Sequence, residues 1–230
     1  MWPYWIMFLV PALATIRGRQ TSPNSRARLK LPLDWLFVAI FFSLLIGSRY
    51  EIGADWEQYL AILQLVKESP AGLMGLGDPG YYWLNRLSIW LGADILGVNL
   101  VAAAIFSIGL TFFCLHQRRP WLALTIAVPY LVVVVSMGYT RQGMALGMAL
   151  LALTALARGS VGWYITFIIC GATFHRSAVL LLPIAALAAS RSRLLSTFWI
   201  AIVGLAAYYV FIDQSLEYYN TVYINREYQS

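Results

Sequence analysis

The stretch "ILGVNLVAAAIFSIGLTFFCL" fills residues 95–115 without one charged side chain, and "HQRRP" (116–120) ends it. With a rise of 1.5 Å per residue, a helix of that length crosses the ~30 Å hydrocarbon core of a bilayer. Similar runs recur along nearly the whole chain, at about 2–16, 32–48, 120–138, 142–157, 160–174, 177–189 and 194–212. Of the 230 residues, 60% are hydrophobic and 11% charged, where a soluble domain carries roughly 25% charged. The pattern predicts an all-α, polytopic integral membrane protein of about eight transmembrane or re-entrant helices, a single membrane domain over 1–230. Between 142 and 189 two readings stay open. One has three short tilted spans; the other has two spans with a broken middle, tolerated where it lines a protein cavity.

The net charge of +6 does not point to nucleic acid, because the cations sit in short links between apolar runs. If the chain crosses at every segment, Arg17, Arg19, Arg26, Arg28, Lys30, Arg118, Arg119, Arg158, Arg191 and Arg193 share one side. Positive charge gathers in the cytoplasm, so that side is read as cytoplasmic. The opposite side receives Arg49, Lys67, Arg86, Arg141, Arg176 and Arg226, the N-terminus, a loop at 49–94 and a tail at 213–230. The opening "MWPYWIMFLVPALATIRGR" (1–19) has its cations after the apolar run and reads as a first span, not a cleaved signal peptide. Cys114 and Cys170 lie inside apolar runs and read as small apolar fillers. No spacing suits a metal, and no cofactor is expected.

Three outer cations sit in polar clusters at segment ends: "SRYEIGADW" (48–56), "YTRQG" (139–143) and "FHRSA" (174–178). Arg141 opens an apolar helix. It either snorkels to the interface or, being unfavourable at a helix N-terminus, answers to an anion there. Small residues spaced four apart (Gly143 with Gly147, Ala145 with Ala149) permit close helix approach. Arg49 forms a surface pair with Glu51 or Asp55, or lines an outer site. Asp55 caps a helix, faces that site, or does both. His175 bonds a neighbouring carbonyl and Arg176 anchors at the interface, or both are functional, as intramembrane ionisable groups usually are. In the outer loop, Trp56, Tyr59, Leu60, Leu63 and Val66 fall at helical spacing opposite Glu57, Gln64 and Glu68. They predict an amphipathic helix on the membrane surface. "MGLGDPGYY" (74–82) reads as a turn, and "YYWLNRLSIWLG" (81–92) as a second, aromatic-rich interfacial or re-entrant helix. Walker, GxSxG, HExxH and DxD patterns are absent from the sequence.

"GSRYEIGADWEQY" (47–59), "DPGYYWLNRLS" (78–88), "TRQGMALGMALLALTALARG" (140–159) and "ATFHRSAVLLLPI" (172–184) occur in that order. Together they resemble the EpsG family of bacterial exopolysaccharide proteins, related to Wzy-type repeat-unit polymerases, over about residues 30–220. The resemblance implies a multi-pass enzyme of the bacterial inner membrane. Such an enzyme joins oligosaccharide repeat units carried on undecaprenyl pyrophosphate at the outer face. Its expected partners are that lipid-linked glycan, membrane lipid, a flippase and chain-length regulators. Family members continue through further spans, so a chain ending at "YYNTVYINREYQS" (218–230) is expected to be a shortened member. On this reading Arg141, Arg49 and Arg176 bind pyrophosphate, since their forked donors match phosphate oxygens. His175 takes the proton of the acceptor hydroxyl, with Asp55 the alternative base. Trp56, Tyr59 and Tyr81 offer flat faces to sugar rings. A lipid-linked oligosaccharide flippase and a glycan ligase using the same donor remain the alternatives.

Overall fold

In hydrocarbon no water is available to backbone N–H and C=O groups, so apolar segments satisfy them internally as helices. The computed structural model describes residues 2–17, 31–68 and 78–184 and the isolated positions 198, 201, 202 and 205. All regular structure among these residues is helical. The elements are α1 (Trp2–Arg17), α2 (Leu33–Gly47), α3 (Trp56–Glu68), α4 (Pro79–Trp90), α5 (Asp94–Leu115) and α6 (Pro120–Ala127). A π-helical stretch (Val128–Ser136), α7 (Thr140–Ala157), α8 (Val161–Phe174) and a 3₁₀ turn (Arg176–Leu181) follow. Residues Met1–Ala178 form one compact unit and Val179–Ser230 another; α1 to α8 all belong to the first.

Asp94–Leu115 and Thr140–Ala157 are long and apolar enough to cross a membrane. Trp2–Ile16, Leu33–Gly47, Pro120–Ser136 and Val161–Phe174 are shorter apolar helices. Each coincides with an apolar run of the sequence. The segment expected at 177–189 begins within the 3₁₀ turn, and residues 185–189 lie outside the described residues, as do most of 194–212, the link 18–30 and the tail 213–230. Within 142–181, α7 and α8 are separate helices, and α8 gives way at His175 to extended backbone (φ −155°, ψ 115°) before the 3₁₀ turn.

Helix α5 packs against both α2 and α7, α7 packs against α8, and α1 lies on α6. Between helices in lipid there is little hydrophobic driving force, so close backbone packing carries the association. At the α5–α7 crossing a Cβ on Gly109 would strike the backbone of Gly147. One on Gly147 would sit 2.7 Å from the Cα of Phe106 and 2.7 Å from the carbonyl oxygen of Ile105. Small size at these two positions therefore sets the helix separation.

Helix α6 runs into the π-helical stretch where Pro129 removes a backbone donor. The β-branched run Val132–Val135 then crowds ordinary α winding. The wider winding ends at Ser136, whose carbonyl becomes available to another partner.

The loop helix expected from the spacing of Trp56, Tyr59, Leu63 and Val66 is α3, and those four residues are buried. Its apolar face does not rest on a membrane surface. It packs on α4 and α5, where Tyr59 and Leu63 meet Tyr81, Leu84, Val98 and Met144. Leu60 stays 39% exposed, off the buried stripe. A Lys67–Asp94 ion pair of 2.8 Å joins the end of α3 to the start of α5.

Gly147→Ala should destabilise the protein by about 1–3 kcal/mol, the usual cost of overpacking. Gly162, in the first turn of α8, has open space where a Cβ would go, so Gly162→Ala should be neutral or slightly stabilising. Thermal unfolding in detergent compares the two; equal melting shifts would remove the close crossing as a determinant.

Candidate functional site

Arg49 follows the C-terminus of α2 and turns inward, with 6% of its surface exposed. Its Nη1 donates to the Ser136 carbonyl at 2.6 Å. Its Nη2 donates to Asn99 Oδ1 at 3.2 Å and to the Thr140 hydroxyl. Thr140 Oγ1 also donates to Asn99 Oδ1, at 3.4 Å. One guanidinium thus ties together the end of the π-helical stretch, the first turns of α5 and the start of α7. The surface-pair reading of Arg49 with Glu51 or Asp55 gives way: its hydrogen-bond acceptors are all neutral. Burial pushes its pKa down to about 10, so it is a cation at neutral pH. Being cationic, it suits the C-terminal end of a helix, where the dipole is negative.

The next residue after Thr140 is Arg141, in the first turn of α7, where a cation is disfavoured by the helix dipole. The compensation is Asp78, whose side chain is 7% exposed. Arg141 Nη1 donates to Asp78 Oδ2 at 3.3 Å, and Arg176 Nε lies 3.9 Å from Asp78 Oδ1. Below the guanidinium lie Tyr59 and Tyr81, with ring centroids 5.8 Å and 5.9 Å from Arg141 Cζ. Arginine over an aromatic face gains cation–π attraction, more so where desolvated. Burial raises the pKa of both phenols, so both are neutral.

His175 terminates α8, its backbone N–H donating to Gly171 at 3.0 Å. Burial lowers its pKa, the Asp78 charge acts in the opposite direction, and Arg141 lowers it further. It is therefore neutral at pH 7 and able to accept a proton. Asp55 sits just before α3 and accepts a hydrogen bond from the Tyr59 hydroxyl at 3.4 Å.

The structure thus gathers the three separated polar clusters of the sequence at one end of the helices. Arg141 and Arg176 are set against Asp78, while the charge of Arg49 meets only neutral acceptors. The Nε atoms of Arg49 and Arg141 and Nδ2 of Asn99 are buried without a hydrogen-bond partner. Unspent buried donors are costly and leave the cluster short of acceptors. Tyr59 and Tyr81, at 2% and 3% exposure, present no face to a sugar in this conformation. Trp56 is also buried, edge-on to Tyr50 at 5.6 Å.

Asp78, Asn99 and Thr140 are site members that sequence reading missed. Asp78 had a signal: Asp followed by Pro is an N-cap and first-residue pattern, and Pro79 does start α4. Asn99 was visible as an amide inside an otherwise apolar run.

Arg49→Met should cost about 3 kcal/mol, because the acceptors it satisfies stay buried. Arg49→Lys should recover little, since an ammonium lacks the planar fork that reaches them together. Unfolding in detergent reads both. The lowered His175 pKa fixes a sign as well. The unfolded chain binds a proton below about 6.5 that the folded one takes up only at lower pH. Stability is therefore full above pH 6.5 and falls as pH drops through that value towards the folded pKa. His175→Gln should flatten this part of the stability–pH curve; an unchanged curve would show that another group is responsible.

The sequence model of the EpsG family matches residues 33–230, well over half of the chain. No curated protein and no solved structure matches it. The family and the apolar helices together indicate a membrane protein, and the family supports an exopolysaccharide-related, polymerase-type function in general. On the extent of that match, the chain belongs to the EpsG family.

Proposed function

We propose that the protein polymerises oligosaccharide repeat units carried on undecaprenyl pyrophosphate, as a multi-pass enzyme of the bacterial inner membrane acting at its outer face. The observation that carries this reading is the meeting of Arg141 and Arg176, from separate segments, on the buried carboxylate of Asp78 beside a neutral His175. The acceptor hydroxyl attacks the anomeric carbon of the donor sugar. Its oxygen forms the new glycosidic bond, and the bond from the anomeric carbon to the pyrophosphate oxygen breaks. The leaving undecaprenyl pyrophosphate keeps the electron pair.

Charge builds on that leaving group, and preorganised cations in a poorly solvated site stabilise it most. Arg141 and Arg176 are assigned this role, with phosphate oxygens replacing the Asp78 carboxylate as their acceptor. His175 accepts the acceptor's proton. Arg49 holds Ser136, Asn99 and Thr140 in place and so positions Arg141, adding its charge at longer range. Asp55, through its bond to the Tyr59 hydroxyl, orients the tyrosine beneath Arg141 and is the alternative base. The partners on this reading are the lipid-linked glycan, surrounding lipid, a flippase and chain-length regulators.

Purified protein in proteoliposomes, supplied with lipid-linked repeat units, should yield products longer than one unit. Arg141→Ala should slow their formation by about 10²–10³-fold, the scale of losing a charge-stabilising donor. Arg141→Lys should retain part of the rate. His175→Gln should cost about 10²-fold or more. Wild-type product levels in both Arg141→Ala and His175→Gln, at matched abundance, would exclude this mechanism. Transfer to a different acceptor would mark a ligase, and movement without bond formation a transporter.

A further inference from the structure

Arg158 ends α7 at the opposite end from Arg141, 17 residues along the helix and therefore about 25 Å away. Beside it lies a cavity of about 560 Å³, within the ~300–1,000 Å³ range of ligand pockets. Its walls are Ile108 and Phe112 of α5, Leu151 and Ala155 of α7, and Trp163 and Phe167 of α8. The polar contributors are Thr154, Arg158 and Ser160. Thr154 spends its hydroxyl on the Leu150 carbonyl at 2.9 Å. Ser160 makes no capping bond at the start of α8, which leaves its hydroxyl to a ligand. The chamber is apolar except at the end that carries one cation, and no carboxylate lines it.

We propose that this chamber binds a membrane phospholipid with a net anionic headgroup. One acyl chain lies between α5 and α8, and the phosphate rests on the Arg158 guanidinium and the Ser160 hydroxyl. Apolar walls reject a hydrophilic ligand, whose polar groups would lose water without replacement. The guanidinium fork matches phosphate oxygens. A zwitterionic headgroup brings its own ammonium against Arg158, whereas an anionic one leaves the phosphate unopposed. Trp163, 60% exposed, supplies the amphipathic ring that suits headgroup depth. A cation is favourable at any helix C-terminus, but that does not account for the apolar chamber next to it.

The test uses the full chain, purified and delipidated, with native mass spectrometry of bound phosphatidylglycerol against phosphatidylcholine of the same acyl chains. Phosphatidylglycerol should bind about fivefold more tightly, the factor for one arginine at an anionic lipid surface. Arg158→Gln should erase that preference while leaving phosphatidylcholine binding unchanged. Ala155→Phe, which fills the chamber, should weaken both lipids. Glycerol phosphate should not compete. Equal binding of the two lipids by the wild type, or a preference that survives Arg158→Gln, would overturn the proposal. Competition by glycerol phosphate would do so too, by revealing a surface anion site. A polyprenyl phosphate that displaces phosphatidylglycerol at equal concentration would overturn the choice of occupant. If Ala155→Phe lowers stability, the wild-type preference and Arg158→Gln decide alone, because Arg158 is an exposed helix cap.

Discussion

A buried cation whose hydrogen-bond acceptors are all neutral is the constraint on which the polar end of this molecule depends. Arg49 meets the Ser136 carbonyl, the Asn99 amide and the Thr140 hydroxyl. These groups belong to the π-helical stretch, α5 and α7, so one side chain links three elements. Only a planar, multiply donating group reaches all three together. The π winding enters the same account. It lets the chain leave Pro129 and the valine run with the carbonyl of Ser136 available to the guanidinium. Because Thr140 immediately precedes Arg141, the lock on Arg49 also helps to place the arginine that meets Asp78.

Asp78 is the second constraint. A cation in the first turn of α7 runs against the helix dipole, and Asp78 offsets it while standing at the start of α4, where a carboxylate is favoured. The same carboxylate draws in Arg176 and raises the proton affinity of His175 against the effect of burial. On the proposed mechanism, phosphate oxygens replace this carboxylate as the acceptor of the arginine pair. Tyr59 and Tyr81 then matter less as sugar platforms than as the apolar, polarisable floor that holds Arg141 in position.

The helix scaffold has a different physical basis from the site. Lipid gives apolar side chains little reason to prefer one another, so the α5–α7 contact relies on Gly109 and Gly147 bringing backbones together. Helix α3 obeys the older logic of soluble proteins. Its apolar stripe is buried by α4 and α5, and its charged face is left outward. An amphipathic pattern has no means of distinguishing a membrane surface from a protein surface, because both reward the same spacing. That is why α3 was legible as a helix while the surface it covers was not.

The sequence by itself determined most of the described helices, since apolar length and period record the need to satisfy backbone groups locally; the apolar run at 177–189 instead begins in a 3₁₀ turn. It also determined which polar clusters share an end, because helices that alternate in direction carry their ends to alternate sides. "SRYEIGAD", "TRQG" and "FHRSA" group on that ground alone, while the four-residue spacing of small side chains singles out Gly147. Tertiary structure decided the partners. Arg49 pairs with residues 50 to 91 positions away, and Arg141 with Asp78 across 63. No local pattern encodes such pairings. Asp78 reads as part of a turn, and Asp55 as a helix cap, a site residue or both. Their roles follow from which helices pack together, and that is settled by side-chain volume and close backbone contact, which no periodicity records.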